Sequence, residues 1–151
     1  MSTTINDIKA GIEARLAISA PTYNKLAYQI DISRNKFKGN SLGYSVQPAG
    51  SAEVDSLIGA FTNDHQFSIF LTNSYNEGAK SQIGDTLKST RVTELMDVVL
   101  DVYKDLVVNK SSVDSTVLVI NNLAIEPPEF IDEEKVIIVQ MSINIKYKIN
   151  K

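Results

Sequence analysis

The stretch Val136-Ile-Ile-Val-Gln-Met-Ser-Ile-Asn-Ile-Lys-Tyr-Lys-Ile149 decides the fold. From Ile137 every second residue is apolar, through Val139, Met141, Ile143, Ile145, Tyr147 and Ile149. From Gln140 the residues between them are polar: Ser142, Asn144, Lys146 and Lys148. A strand points successive side chains to opposite faces, so this is one long strand with a dry face and a wet face. Strands usually run about 5–6 residues. A strand more than twice that length overhangs a small sheet unless something else pairs with it, and a long unpaired edge invites aggregation. The expectation is a partner strand from a second copy of the chain, and hence an assembly protein.

Moving outward, Val117 to Ile125 reads as the strand before it, and Glu126-Pro-Pro-Glu129 ends that strand because neither proline can donate to a ladder. Ile131-Asp-Glu-Glu-Lys135 leads into the final strand. Upstream lies a long helix, from about Gln82 or Asp85 to Val108. Its β-branched residues alone favour a strand, but Glu94, Asp97, Asp101, Lys104 and Asp105 form a narrow polar stripe at helical period. The rest is apolar over more than half the circumference, whereas a surface helix needs one apolar stripe. Burial between the sheet and another helix explains this, and a subunit contact is the sharper alternative.

His65 to Thr72 reads as a strand with Phe67, Ile69 and Leu71 on one face, and Gln66, Ser68, Phe70 and Thr72 on the other. Asn73 to Lys80 reads as a polar loop. Near the start, Ile5, Ile8, Ile12 and Leu16 share one face of a helix from Thr4 to Ile18. Ser2, Thr3 or Thr4 supplies its cap, Asp7 favours its first turn, and Pro21 stops it. Tyr28, Ile30 and Ile32 suggest a short strand. Arg34 to Leu57 carries Gly39, Asn40, Gly43, Pro48 and Gly50, a basic start, and only Tyr44-Ser45-Val46 as a strand signal. It reads as a hairpin with a loose tip or as an arm reaching a neighbouring subunit; loops this long are usually functional or mobile. The expected fold is one α+β domain over residues 1–151: a single antiparallel sheet, two helices on one face, a long C-terminal strand and an extended loop or hairpin arm.

The 151 residues suffice for one domain with a real core, and 43% hydrophobic residues argue against disorder. There is no cysteine, which excludes disulfides, thiolate metal sites and cysteine nucleophiles and fits a reducing cytoplasm. A net charge of −3 argues against a broad nucleic-acid surface. No apolar run approaches the roughly 20 residues that span a bilayer, and Met1-Ser-Thr-Thr-Ile-Asn-Asp7 does not read as a signal peptide. The sequon Asn109-Lys110-Ser111 therefore carries no expectation of a glycan.

Chemistry-bearing patterns are sparse. His65 is the only histidine, so one chain cannot build a multi-histidine metal site, and it reads as solvated or locally bonded in a turn. Gly39, Gly43 and Gly50 are too dispersed for a dinucleotide fingerprint, and no Gly-x-Ser-x-Gly elbow occurs. Glu129, Asp132, Glu133 and Glu134 lack the alternate spacing and central glycine of a calcium loop. Lys146 and Lys148 read as solubility and edge protection. No cofactor and no enzymatic activity are expected.

The segment Asp64-His-Gln-Phe-Ser-Ile-Phe-Leu-Thr-Asn-Ser-Tyr75 resembles a strand-and-loop passage of the tail terminator, or tail completion, proteins of long-tailed bacteriophages. In that family a strand Gln-Phe-x-Ile-x-Leu-Thr-Asp-x-Tyr precedes a polar loop and a long helix; here Asn73 stands where Asp is commoner. The order of elements is similar over most of the chain. The resemblance implies a homohexameric ring that caps the tail tube, ends its polymerisation and joins the head. It implies tail tube and head-completion or neck proteins as partners, DNA passing through the ring without sequence-specific contact, no membrane, and assembly in the host cytoplasm into a virion. The interface candidates are Arg34, Lys36, Lys38, Tyr44, Asn73, Ser74, Tyr75, Lys146 and Lys148. The alternatives are another neck or tail-tube subunit, or a small oligomeric α+β enzyme or ligand-binding module.

Overall fold

The computed structural model describes residues 2–26, 42–57, 60–74, 84–131 and 136–149, with side chains described for all of these except 51–57, 60, 74 and 84–88. Helix α1 (Ile5–Ser19) begins at Thr4, whose hydroxyl accepts from the Asp7 amide while the Asp7 carboxylate accepts from the Thr4 amide. This reciprocal box satisfies two amides that a helix start otherwise leaves open. Strand β1 (Asn24–Lys25) follows, then β2 (Gly43–Leu57) and β3 (Ala60–Ser74). Next come α2 (Gly84–Val108), the short α3 (Lys110–Val113), β4 (Val117–Ile125), β5 (Glu129–Ile131) and β6 (Val136–Lys148).

The strands form one mixed, mostly antiparallel six-stranded sheet in the order β1-β2-β3-β6-β4, with β5 also on β6. The pair β1–β2 is parallel. Ile8, Ile12 and Leu16 of α1, Leu95, Val99, Val102 and Leu106 of α2, and Val113 of α3 share one core with Phe67, Ile69 and Leu71 of β3 and the odd-numbered apolar residues of β6. The helices therefore cover one face, and the α+β architecture expected from the sequence is the one observed. At about 25 cal/mol per Å² of apolar surface, this shared face is the main source of stability.

Several expectations are corrected. The long last strand does not overhang: β3 pairs with β6 from Thr62↔Lys148 to Ser74↔Val136, and β4 and β5 pair along its other side. The part of the Arg34–Leu57 segment from Gly43 onward is a strand paired with β3, irregular between Pro48 and Gly50 and between Ser51 and Glu53. Asn73 and Ser74 belong to β3, opposite Ile137 and Val136, and not to a loop. Ile131 belongs to β5. The expected strand at Tyr28–Ile32 lies outside the described residues.

The second face of the sheet grades along the strands. Phe70, Val136 and Ile138 form a small buried cluster at one end. Ser68, which accepts from Gln140 Nε2 at 3.2 Å, and Ser142 follow, and Lys146 and Lys148 are exposed at the other end.

Candidate interaction surfaces

The sequence-derived candidates do not gather at one place. Arg34, Lys36, Lys38 and Tyr75 lie outside the described residues. Tyr44 is 4% exposed and packs in the main core, so it is no ready anchor for a partner. Burial, then the nearby Glu13 carboxylate, raises its phenol pKa. Asn73 is buried in β3 and has hydrogen-bonding or other contacts there. Lys146 and Lys148 are exposed on the wet side of β6, as their alternation implies.

His65 is not solvated. It is 6% exposed, its ring stands 5.1 Å from that of Phe67, and neither imidazole nitrogen has a hydrogen-bond partner among the described residues. Burial lowers its pKa, because the charged imidazolium loses its water. Two strand positions earlier on the same face, Asn63 Nδ2 donates to Tyr147 Oη at 3.1 Å. This end of the sheet is closed by the chain termini: the Thr3 amide donates to the Ile149 carbonyl at 2.7 Å, and the Ile149 amide to Phe61 at 2.8 Å.

Between α1 and α2, Arg15 grips Asp105 through two bonds, Nε to Oδ2 at 3.0 Å and Nη2 to Oδ1 at 2.6 Å. The fork geometry fixes the helix pair in register, and the hydrogen bond to Asp105 raises the Arg15 pKa. Asn109 Nδ2 also donates to Asp105 Oδ1, at 3.1 Å. Asp105 and Asn109, with Asp101, Lys104 and Val108, line an open depression of about 280 Å³. Its one half-buried carboxylate is already engaged, which leaves it poorly suited to polarise a ligand. Among the described residues no group of three or more metal-ligating side chains could hold an ion. No described helix is long and apolar enough to cross a membrane.

Among the described residues Ile18, Phe61 and Val108 are exposed large apolar side chains, as are Leu100, Val107, Ile125 and Phe130, and strand and helix patterns had not singled these out residue by residue. At 3.6 residues per turn, Leu100 and Val107 lie on the flank of α2 roughly opposite Asp105, and so away from α1. They are 53% and 38% exposed. Helix α1 packs over β2, whereas α2 also reaches β6 and β4. The flank turned from α1 therefore follows the β4 margin of the sheet. There Ile125 and Phe130 pair with Met141 and Ile137, whose side chains point to the helix face. Paired residues share a face, so Ile125 and Phe130 lie on that side too, 36% and 39% exposed. The signal was the excess apolar circumference of α2; the sheet order needed to locate it was not in the sequence pattern.

No protein-family model matches this chain, and a search of curated proteins finds no match either.

Proposed function

We propose that this chain is a structural subunit of a long-tailed bacteriophage tail, a terminator whose ring caps the tail tube, stops its growth and offers the surface on which the head joins. The observation that carries this reading is the Gln66-Phe-Ser-Ile-Phe-Leu-Thr72 strand in its setting: an N-terminal helix before it, a long hairpin leading into it, and after it a long helix, a short one and three strands, of which β4 and β6 are the two long ones. Phe67, Ile69 and Leu71 are core residues, so the motif bears on the fold, and the function is carried by the resemblance alone. The ring has six subunits on the same resemblance. Its partners are the tail tube protein and a head-completion or neck protein, its site of assembly is the host cytoplasm, and it catalyses no reaction. The test is polymerisation of the cognate tail tube protein followed by negative-stain imaging. With the chain present, tubes carry a ring at one end and stop lengthening. Tubes of unchanged length with bare ends contradict the proposal.

A further inference from the structure

Buried polar side chains gather at the end of the sheet where the chain termini meet. On the helix face, His65 stands two positions from Asn63, whose Nδ2 donates to Tyr147 Oη. Thr3, Thr62 and Thr116 are buried at the same end. The Thr3 amide bonds to Ile149, Thr62 pairs with Lys148, and the Lys148 amide donates to the Thr116 carbonyl at 3.0 Å. Further along β3, the side chains turned to the helices are the apolar Phe67, Ile69 and Leu71. Both His65 nitrogens and Thr3 Oγ1 are buried with no hydrogen-bond partner among the described residues, as is Asp64 Oδ1 on the opposite face. An unpaired buried polar atom carries its full desolvation cost. Water entering at this end therefore restores interactions that the closed form lacks, whereas beside Phe67, Ile69 and Leu71 it meets apolar groups. Local opening begins where the closed form has least to lose.

We propose that this end is an acid-operated latch: a proton taken up by His65 parts the seam that joins Thr3, Phe61, Thr116 and Ile149, while the sheet from Phe67 to Leu71 stays closed under its helices. An imidazolium carries two N–H donors, and in the closed seam neither nitrogen meets an acceptor among the described residues. The charged groups of the surrounding elements are placed elsewhere. Asp64 of β3 and Lys146 and Lys148 of β6 alternate to the opposite face. Glu53 and Asp55 of β2 pair with Asp64 and Thr62, positions of that same face. Strand β4 carries no charged residue between Val117 and Ile125. On α1, Asp7 accepts from the Thr4 amide, Glu13 pairs with Lys25, Arg15 pairs with Asp105 of α2, and Lys9 is half-buried. Around α3, Lys110 donates to the Leu118 carbonyl and Asp114 accepts from the Thr116 amide. Burial is what lowers the His65 pKa. The opened, hydrated form then binds the proton more readily than the closed one, so opening is favoured as pH falls.

The test is amide hydrogen exchange on the wild-type chain between about pH 7 and about pH 5, corrected for the intrinsic pH dependence of exchange, beside His65→Phe and His65→Gln. In wild type, protection of the Thr3, Lys148 and Ile149 amides falls about tenfold for each pH unit below about 6.5, while that of the Ile69 and Met141 amides holds. In either variant the end keeps its protection in acid. Protection lost to the same degree at Ile69 and Met141 overturns the latch, because the sheet then opens as a whole. A folded variant whose end loosens in acid as wild type does removes His65 from the account. If neither variant folds, the wild-type imidazole is titrated by NMR. A midpoint below about 6.5, with the end amides losing protection as the proton is taken up, supports the latch. A midpoint at or above about 6.5, or a protonated imidazole with the end amides unchanged, overturns it.

Discussion

His65 and Phe67 occupy one face of β3 two residues apart, and they answer to different forces. Phe67 is fully buried in the core. Phe67→Ala should cost about 3–5 kcal/mol, read as a lower denaturation midpoint with little change of slope. His65 is buried with no hydrogen-bond partner among the described residues, and burial favours its neutral form. Its folded pKa lies below the value of about 6.5 expected when unfolded. The unfolded chain then binds more protons, and stability is full above about pH 6.5 and falls as pH drops through and below it. His65→Phe should flatten the melting temperature between about pH 6.5 and 5, where carboxylates contribute little. A variant as acid-sensitive as wild type in that window would show that the imidazole is hydrated. The sequence displayed His65 on the core face of its strand; its position next to Asp64 suggested a turn because the hydrophobic alternation begins only at Phe67. At the other end of β3 the same effect hid Asn73 and Ser74, which pair with β6 through backbone groups that polar side chains do not reveal.

At the scale of elements, α1 was legible because its apolar spacing and its cap agree. Thr4→Ala removes the capping box and should cost about 1 kcal/mol in a melting or denaturant experiment. Gly11 in the same helix behaves against propensity. Alanine at an exposed helix site gains about 1 kcal/mol over glycine. Here a Cβ would overlap the backbone carbonyl of Val113, where α3 crosses α1. Gly11→Ala should therefore destabilise the fold, and a raised melting temperature would show that the helices can part without cost. The long strand shows the limit of element-level reading. The alternation of β6 declared its faces and length, but not its neighbours. Its partner β3 is as long, yet the β3 stretch Phe61-Thr-Asn-Asp64 is mostly polar and carries no alternating signature. An apparent overhang was in fact a central strand, and the reason first seen for a partner disappears with it.

At the scale of the molecule, β6 is paired on both sides, so its length no longer argues for a partner strand. Of the positions chosen from sequence as interface candidates, Tyr44 and Asn73 are buried, whereas Leu100, Val107, Ile125 and Phe130, which were not chosen, are exposed. Which apolar residues remain uncovered depends on how α2 lies across β4, a relation that no local pattern encodes. The central claim is that this chain works as a ring-forming structural subunit. The most direct measurement is the mass of the purified wild-type chain by sedimentation velocity at high protein concentration in low salt. The account predicts one discrete closed species near six times the 16.6 kDa chain mass, with about six subunits on the family resemblance. A single species at 16.6 kDa across the whole concentration range would contradict it.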